Sequence, residues 1–151
     1  MSLEELLKER ERLLKQKEIN TKKLDKINSL IEYYTWSYNS LVYEKSCYND
    51  NIYSYKKILN RSKVKSLFDF SLFDTNFDKY FIKRIEYFEK KIEVVDKKKS
   101  SISNLIVIKK GEKKHLENEN REIDVYLEYN NKCIENLENQ TVLVKNSTFD
   151  K

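Results

Sequence analysis

The chain has 151 residues, of which 36% are charged and 39% are hydrophobic, and its formal net charge is +5. It contains one glycine and no proline, the residues on which chain reversals commonly depend, so the composition argues against a domain with many turns. No apolar run approaches the roughly 18 residues that a membrane span requires, and the acidic start does not resemble a secretory signal, so we expect neither. The composition therefore predicts very few and very long helices.

The first half of the chain has the pattern of a coiled-coil helix. Apolar residues recur at alternating gaps of three and four, and thirteen of the seventeen positions in this series are apolar or aromatic. Ser2 and Glu5 have the spacing of a capping box, which predicts a helix start. We expect the first arm over about 2–65. Its series, called the first seam, is Leu3, Leu6, Arg10, Leu13, Lys17, Asn20, Leu24, Ile27, Ile31, Tyr34, Tyr38, Leu41, Lys45, Tyr48, Ile52, Tyr55 and Leu59.

The segment 66–75 is predicted to be an apolar tip between two arms. The residues from Asp74 to Asn76 offer an N-cap for the second arm, which we expect over about 76–139, followed by a flexible tail over 140–151. Gly111 is expected to bend or fray this helix. The second seam is Phe81, Ile85, Phe88, Ile92, Val95, Lys99, Ile102, Ile106, Lys109, Lys113, Leu116, Asn120, Ile123, Leu127, Asn130, Ile134 and Leu137.

The two seams have equal length, which indicates that the arms pair with each other. Folding the chain about residue 70 places Leu3 beside Leu137 and Leu59 beside Phe81. The predicted fold is all-α, a long antiparallel two-helix coiled-coil hairpin that forms a single domain over 1–151. Cys47 and Cys133 would then lie far apart along the hairpin, as two reduced thiols.

The sequence contains no arrangement of residues typical of an enzyme. His115 is the only histidine, so neither a histidine-based triad nor a multi-histidine metal site is available. A phosphate-binding loop needs more than one glycine. We therefore expect no catalytic residue, no cofactor, no bound metal and no small-molecule substrate.

The aromatic residues are concentrated near the predicted tip, where sixteen of the nineteen lie between Tyr33 and Phe88. Six of them fall on the seams and belong to the predicted core, and three more, Phe68, Phe70 and Phe73, fall in the predicted tip. Aromatic side chains outside a core are common anchors of protein interfaces, so the others predict a protein-binding surface. These outer aromatic residues are Tyr33, Trp36, Tyr43, Tyr53, Phe77, Tyr80 and Tyr87.

Charge is also unevenly distributed along the second arm. The segment from Lys83 to Lys114 has eleven basic and five acidic residues, and the segment from His115 to Glu138 has two basic and seven acidic ones. Because an acidic stretch follows the basic one directly, we expect the basic segment to steer an acidic protein partner rather than to bind nucleic acid.

These features resemble the FliJ/YscO family, the central-stalk proteins of flagellar and virulence type III secretion. The resemblance lies in a basic helical hairpin of this length, in the leucine-rich start from Leu3 to Leu7, and in the segment 76–92, NFDKYFIKRIEYFEKKI. It implies a non-enzymatic stalk that couples a hexameric export ATPase to the cytoplasmic domain of the membrane export gate. Such a protein works in the bacterial cytoplasm, peripherally associated with the inner-membrane machinery and without inserting into the membrane.

The resemblance also implies two protein-binding ends. The outer aromatic residues would contact the export gate, and secretion chaperones are further partners of some family members. The end where both termini meet would enter the ATPase ring through Leu7, Arg10, Arg12, Leu14, Lys15 and Lys17. Two alternatives stay open at this point: a coiled-coil chaperone for secreted subunits, and a generic scaffolding coiled coil.

Overall fold

The computed structural model describes residues 1–68 and 75–149, with side chains described for 1–61 and 77–146. It contains two helices, α1 (Leu3–Phe68) and α2 (Thr75–Phe149), which pack against each other, and no strand occurs in the described ranges. The prediction of an all-helical chain built from two long helices is confirmed. Most of the predicted tip, 69–74, lies outside the described residues.

The start of α1 has the predicted capping box. The Ser2 backbone N–H donates to the Glu5 carboxylate at 3.0 Å, and the Glu5 backbone N–H donates to the Ser2 hydroxyl at 3.2 Å. Glu4 and Glu5 also place negative charge in the first turn, where the helix dipole favours it. Asp78 does the same for α2. The predicted N-cap residue Asp74 lies outside the described residues.

The helix α2 differs from the prediction in two places. It continues to Phe149 instead of ending near 139, because no glycine or proline stops it. It also runs without interruption through Gly111, so the expected fraying at this position is wrong. Nothing packs against this glycine: a β-carbon added there would meet no heavy atom within 4 Å.

The chain divides into two compact units, and each unit contains a part of both helices. Unit 1 consists of Met1–Ile31 and Ile108–Lys151, and unit 2 is Glu32–Val107.

In unit 1 the two helices contact each other in opposite chain order, so that later residues of α1 meet earlier residues of α2. The Lys17 ammonium contacts the Asp124 carboxylate at 2.5 Å, and the Asn20 amide donates to the Glu119 carboxylate at 3.2 Å. A fold about residue 70 would place these two α1 residues opposite positions 123 and 120. The observed partners are one residue away from those positions.

Unit 2 has the same order of contacts. Lys45 pairs with Asp96 at 2.8 Å, and the Tyr55 ring lies 5.5 Å from the Phe81 ring. The main hydrophobic cluster of this unit lies around the contact between Tyr55 and Phe81. It consists of Ile52, Leu59, Ile85 and Phe88, with Tyr48, Tyr55, Phe81 and Ile92 packed around it.

Burial follows the two seams closely. All twelve buried residues in the described part of the chain are seam residues, and on the first seam only Leu3 and Arg10 are exposed. Two of the twelve are asparagines, Asn20 and Asn130. Asn20 has polar partners for both ends of its amide, since Gln16 donates to its oxygen. The Asn130 amide nitrogen donates to the Leu6 carbonyl at 3.1 Å, whereas its oxygen has no partner.

Candidate protein-interaction surfaces

Four of the seven outer aromatic residues lie on α1 in unit 2, and all four are largely exposed. The exposed fraction is 60% for Tyr33, 67% for Trp36, 73% for Tyr43 and 68% for Tyr53. Trp36 and Tyr43 are one heptad apart on the side of the helix opposite the seam, which explains why packing against α2 leaves them in solvent. No other ring lies against Trp36, Tyr43 or Tyr53 in the part of the chain that the structure describes.

The other three outer aromatic residues lie on α2, and each rests against a ring of the second seam. The Phe77 and Tyr80 rings lie 4.7 and 5.2 Å from the Phe81 ring, and the Tyr87 ring lies 5.3 Å from the Phe88 ring. They nevertheless stay 42–57% exposed. These contacts fix the orientation of the three side chains, so they present a preorganised aromatic surface.

Two basic side chains flank the ring of Tyr87. The Arg84 guanidinium carbon lies 5.3 Å from the ring centroid and the Lys91 ammonium 5.4 Å from it, both within the range of cation–π attraction. Arg84 also lies 5.2 Å from the centroid of the Phe88 ring. A hydrogen bond to Tyr55 is the main cause that raises the pKa of Arg84 above its ordinary value. This residue therefore links the core of unit 2 to its outer surface.

The residues predicted to enter an ATPase ring lie in unit 1 and are also accessible. Leu7 and Leu14 are one heptad apart and are 44% and 47% exposed. Three of the four predicted basic residues already have acidic partners: Arg12 pairs with Glu9, Lys15 with Glu11 and Lys17 with Asp124. In the described part of the chain Arg10 makes no ion pair. A negatively charged partner would thus meet Arg10 first and would compete with existing pairs at the other positions.

Arg12 and Glu9 form an ion pair with two hydrogen bonds. The Arg12 guanidinium donates to both carboxylate oxygens of Glu9, at 2.6 and 3.0 Å. These hydrogen bonds lower the pKa of Glu9 from the ordinary value of 4.5, and they raise the pKa of Arg12.

The sequence reasoning missed a second group of exposed apolar residues in unit 1. Val125, Tyr126 and Tyr129 are 60–70% exposed on α2. Interaction with the Cys133 side chain, chiefly by hydrogen bonding, raises the pKa of Tyr129 above its ordinary value. Their positions outside the second seam predict this exposure, but they lie outside the aromatic-rich segment between Tyr33 and Phe88.

The histidine and both cysteines of the chain lie among the described residues. No group of three or more histidine, cysteine or acidic side chains that could hold a metal ion occurs among them. His115 lies in solvent beside Glu119, at 3.4 Å. Cys47 and Cys133 are both free thiols. Neither described helix contains an apolar stretch long enough to cross a membrane.

Comparison of the chain with protein-family models, curated proteins and solved structures gives no match.

Proposed function

We propose that the two helices form an antiparallel coiled-coil hairpin that functions by binding other proteins. The opposite order of contacts along α1 and α2 within each unit supports this arrangement, as does the confinement of buried residues to the two seams. Two helices that pack only along a narrow seam leave most of their side chains in solvent. Such a structure offers long surfaces for partners rather than an enclosed site for chemistry, so the protein acts as a binding protein and not as an enzyme.

The main support for this function is that Trp36, Tyr43 and Tyr53 are exposed and contact no other described ring. Large aromatic residues in solvent lose the hydrophobic stabilisation that burial would give, about 1.5–3 kcal/mol for a large side chain. Tryptophan and tyrosine are also the residue types that dominate the binding energy of protein interfaces. A partner that covers them recovers this stabilisation.

The more specific proposal is the central stalk of a type III secretion system of the FliJ/YscO type. One part of the chain, unit 1, has exposed leucines and basic residues, and the other, unit 2, has the seven outer aromatic residues. This division suits a protein with two different partners: a hexameric export ATPase at the former and an export-gate domain or a secretion chaperone at the latter. The protein would act in the bacterial cytoplasm at the inner-membrane export machinery.

The test combines purification from the source cell with two matched variants. We expect the tagged full chain to recover a hexameric ATPase and the cytoplasmic domain of an export gate. Trp36→Ala with Tyr43→Ala should preserve the helical circular dichroism signal and lose the gate domain, whereas the exposed Tyr126→Ala control should retain it. We also expect the full chain to stimulate ATP hydrolysis by the ATPase, and Leu7→Ala with Leu14→Ala should abolish this stimulation.

Other outcomes of the same experiment would contradict the stalk proposal. Stoichiometric recovery of an unfolded secreted subunit without an ATPase would assign a chaperone. A parallel dimer that recovers neither partner would assign a scaffold. Equal loss of the gate domain in the aromatic variant and in the Tyr126→Ala control would contradict the role of the outer aromatic residues.

A further inference from the structure

Basic residues of α2 in unit 2 form regular columns along the helix surface. Three surface columns, each with a spacing of seven residues, run along this part of the helix. We name them the aromatic column, the left basic column and the right basic column. They consist of Tyr80, Tyr87 and Val94; of Lys83, Lys90 and Lys97; and of Arg84, Lys91 and Lys98, respectively.

The two basic columns flank the aromatic column on both sides. Lys83 lies three residues after Tyr80 and four residues before Tyr87. Arg84 lies four residues after Tyr80 and three residues before Tyr87. Residues three and four apart are neighbours on a helix surface, so these two side chains lie on opposite sides of the line that joins the tyrosines. The pattern repeats with Lys90 and Lys91, and it continues to Lys97 and Lys98.

The acidic residues of the same stretch lie elsewhere on the helix. Glu86 and Glu93 each precede a member of the aromatic column by one residue and so lie about 100° from it around the helix. Glu89 and Asp96 each follow a member of that column by two residues and so lie about 200° from it. Glu89 and Asp96 therefore lie on the side opposite the aromatic column, whereas Glu86 and Glu93 lie three or four residues from the lysines of the left basic column and adjoin it. The right basic column is the one that is separated from the acidic residues.

The right basic column has no acidic neighbour on its own helix. The positions three and four residues before and after Lys91 and Lys98 hold Tyr87, Phe88, Val94, Val95, Ser101 and Ile102. No ion pair involves either lysine within the described structure, and both side chains are exposed. Their positive charges are thus available to a partner, unlike those of Lys15 and Lys17 in unit 1.

The aromatic column is accessible along its whole length. Tyr80, Tyr87 and Val94 are each about half exposed, and seven residues of helix advance about 10.5 Å, so the three side chains span about 21 Å in a straight line. A partner helix with an apolar residue every seven positions has the same spacing if it lies nearly parallel to α2. If acidic residues flank its apolar column, their carboxylates meet the two basic columns at this spacing too.

We propose that these three columns form a docking surface for an acidic amphipathic helix of a partner protein. The apolar stripe of that helix packs on the aromatic column, and its flanking carboxylates pair with the two basic columns. The inference rests on the proposed protein-binding function of unit 2, but it does not require that the partner belong to a secretion system.

The observations favour a helix over the other anionic partners. An anionic lipid surface selects helices with a broad face of large apolar residues that enters the acyl boundary. The apolar part here is narrow, since Phe77 widens the aromatic column only at its start, and it includes two phenols. Nucleic-acid binding would use the basic residues but would not explain why a valine continues the aromatic column. The seven-residue period of all three columns matches another helix.

The first experiment uses a designed peptide as the probe. The peptide is an amphipathic helix with leucine in one heptad column and glutamate in the two adjacent columns, and fluorescence anisotropy measures its binding to the full chain. We expect Lys91→Glu with Lys98→Glu to weaken binding about tenfold, because two attractive ion pairs become repulsive. The control, Lys56→Glu with Lys57→Glu, makes the same charge change at exposed residues of α1, outside the three columns, and should leave the affinity within about twofold.

Two results of this experiment would overturn the proposal. One is equal weakening by the two double variants, which would mean that only net charge matters. The other is undiminished binding of a second peptide in which serine replaces leucine, because the aromatic column would then contribute nothing. Helical circular dichroism of each variant verifies that a loss of binding does not come from unfolding.

The second experiment identifies the natural partner. A photoreactive residue replaces Val94 within the aromatic column or, as the control, the exposed Val107 outside it, and the chain is cross-linked in the source cell. Cross-links from position 94 alone to a helical protein segment rich in glutamate and aspartate support the inference. Cross-links to lipid or nucleic acid, to a segment without acidic residues, or equally from both positions would overturn it.

The outcomes separate this inference from the secretion proposal. An acidic helix from a protein outside any secretion apparatus would support the docking surface and contradict the stalk role. Recovery of an ATPase and a gate domain without an acidic helix at position 94 would do the reverse.

Discussion

Replacement of the buried Asn130 by leucine is expected to stabilise the protein. Asn130 is 4% exposed on the second seam, and its amide oxygen has no hydrogen-bond partner. Its nitrogen donates to the Leu6 carbonyl at 3.1 Å, an oxygen that lies within α1 and also has the ordinary helix hydrogen bond available to it. The substitution therefore removes an unpaired buried oxygen without leaving the carbonyl unpaired.

The expected magnitude combines three contributions. An unsatisfied buried polar group costs about 1–3 kcal/mol, and loss of the existing hydrogen bond costs about 1 kcal/mol. Burial of a leucine side chain contributes about 1.5–3 kcal/mol, from which imperfect packing of the new shape subtracts about 1 kcal/mol. The free energy of unfolding should rise by about 2 kcal/mol, which for a chain of this size raises Tm by about 4–8 °C.

The assay is urea denaturation followed by circular dichroism at 222 nm, with a thermal scan of the same samples. The matched control is Asn131→Leu, because Asn131 is the exposed neighbour and its substitution should change the stability by no more than about 0.5 kcal/mol. A destabilised Asn130→Leu protein, or equal effects of the two substitutions, would refute the conclusion that position 130 faces the packed seam.

Three further predictions follow from the packing and the charges. Phe88→Ala should lower the free energy of unfolding by about 3 kcal/mol in urea denaturation, because Phe88 is buried in the main cluster of unit 2, whereas Tyr80→Ala should cost no more than about 1 kcal/mol. Gly111→Ala should stabilise by about 1 kcal/mol, measured in the same way, because the glycine is helical and an added β-carbon meets nothing. The pKa of the Glu9 carboxyl group, measured by NMR, should lie below 4.5, and Arg12→Gln should return this pKa to 4.5. Because folding lowers the pKa, the stability that the pair contributes is present above pH 4.5. It is lost as the pH falls through the lower pKa of the folded state.

Each of these predictions has a clear contrary result. Similar destabilisation by the two aromatic substitutions would mean that Phe88 is not in a core. A destabilising Gly111→Ala would show that the backbone there is not helical or that another group occupies the adjacent space. A Glu9 titration that Arg12→Gln leaves unchanged would show that the ion pair does not form in solution.

The hydrophobic periodicity predicted most of the fold, because the seven-residue spacing of apolar side chains determines which side of a long helix can be buried. It succeeded even at polar positions: Asn20 and Lys17 were placed on the first seam by spacing alone, and both make contacts with α2. The end of α2 differs from the prediction because a polar composition alone does not end a helix. No residue between 139 and Phe149 is a strong helix breaker.

The candidate surfaces could be predicted only in part. Exposure of the outer aromatic residues follows from their positions off the seam, and it is observed at all seven. The pairing of Lys17 with Asp124 depends on the exact alignment of the two helices, which spacing gives only to within a residue. The lack of acidic neighbours around Lys91 and Lys98 can be read from the sequence, but a count of charges along the chain averages over the sides of the helix.

The most direct test of the account is whether the two helices pair within one molecule. Spin labels at Lys45→Cys and Asp96→Cys, in a chain with Cys47→Ser and Cys133→Ser, report the distance across unit 2 by electron paramagnetic resonance. Pairing within one molecule predicts strong dipolar broadening, because packed helices lie about 8–10 Å apart. An excess of unlabelled chain should then leave the broadening unchanged. Broadening that is absent, or that disappears on dilution with unlabelled chain, would contradict it.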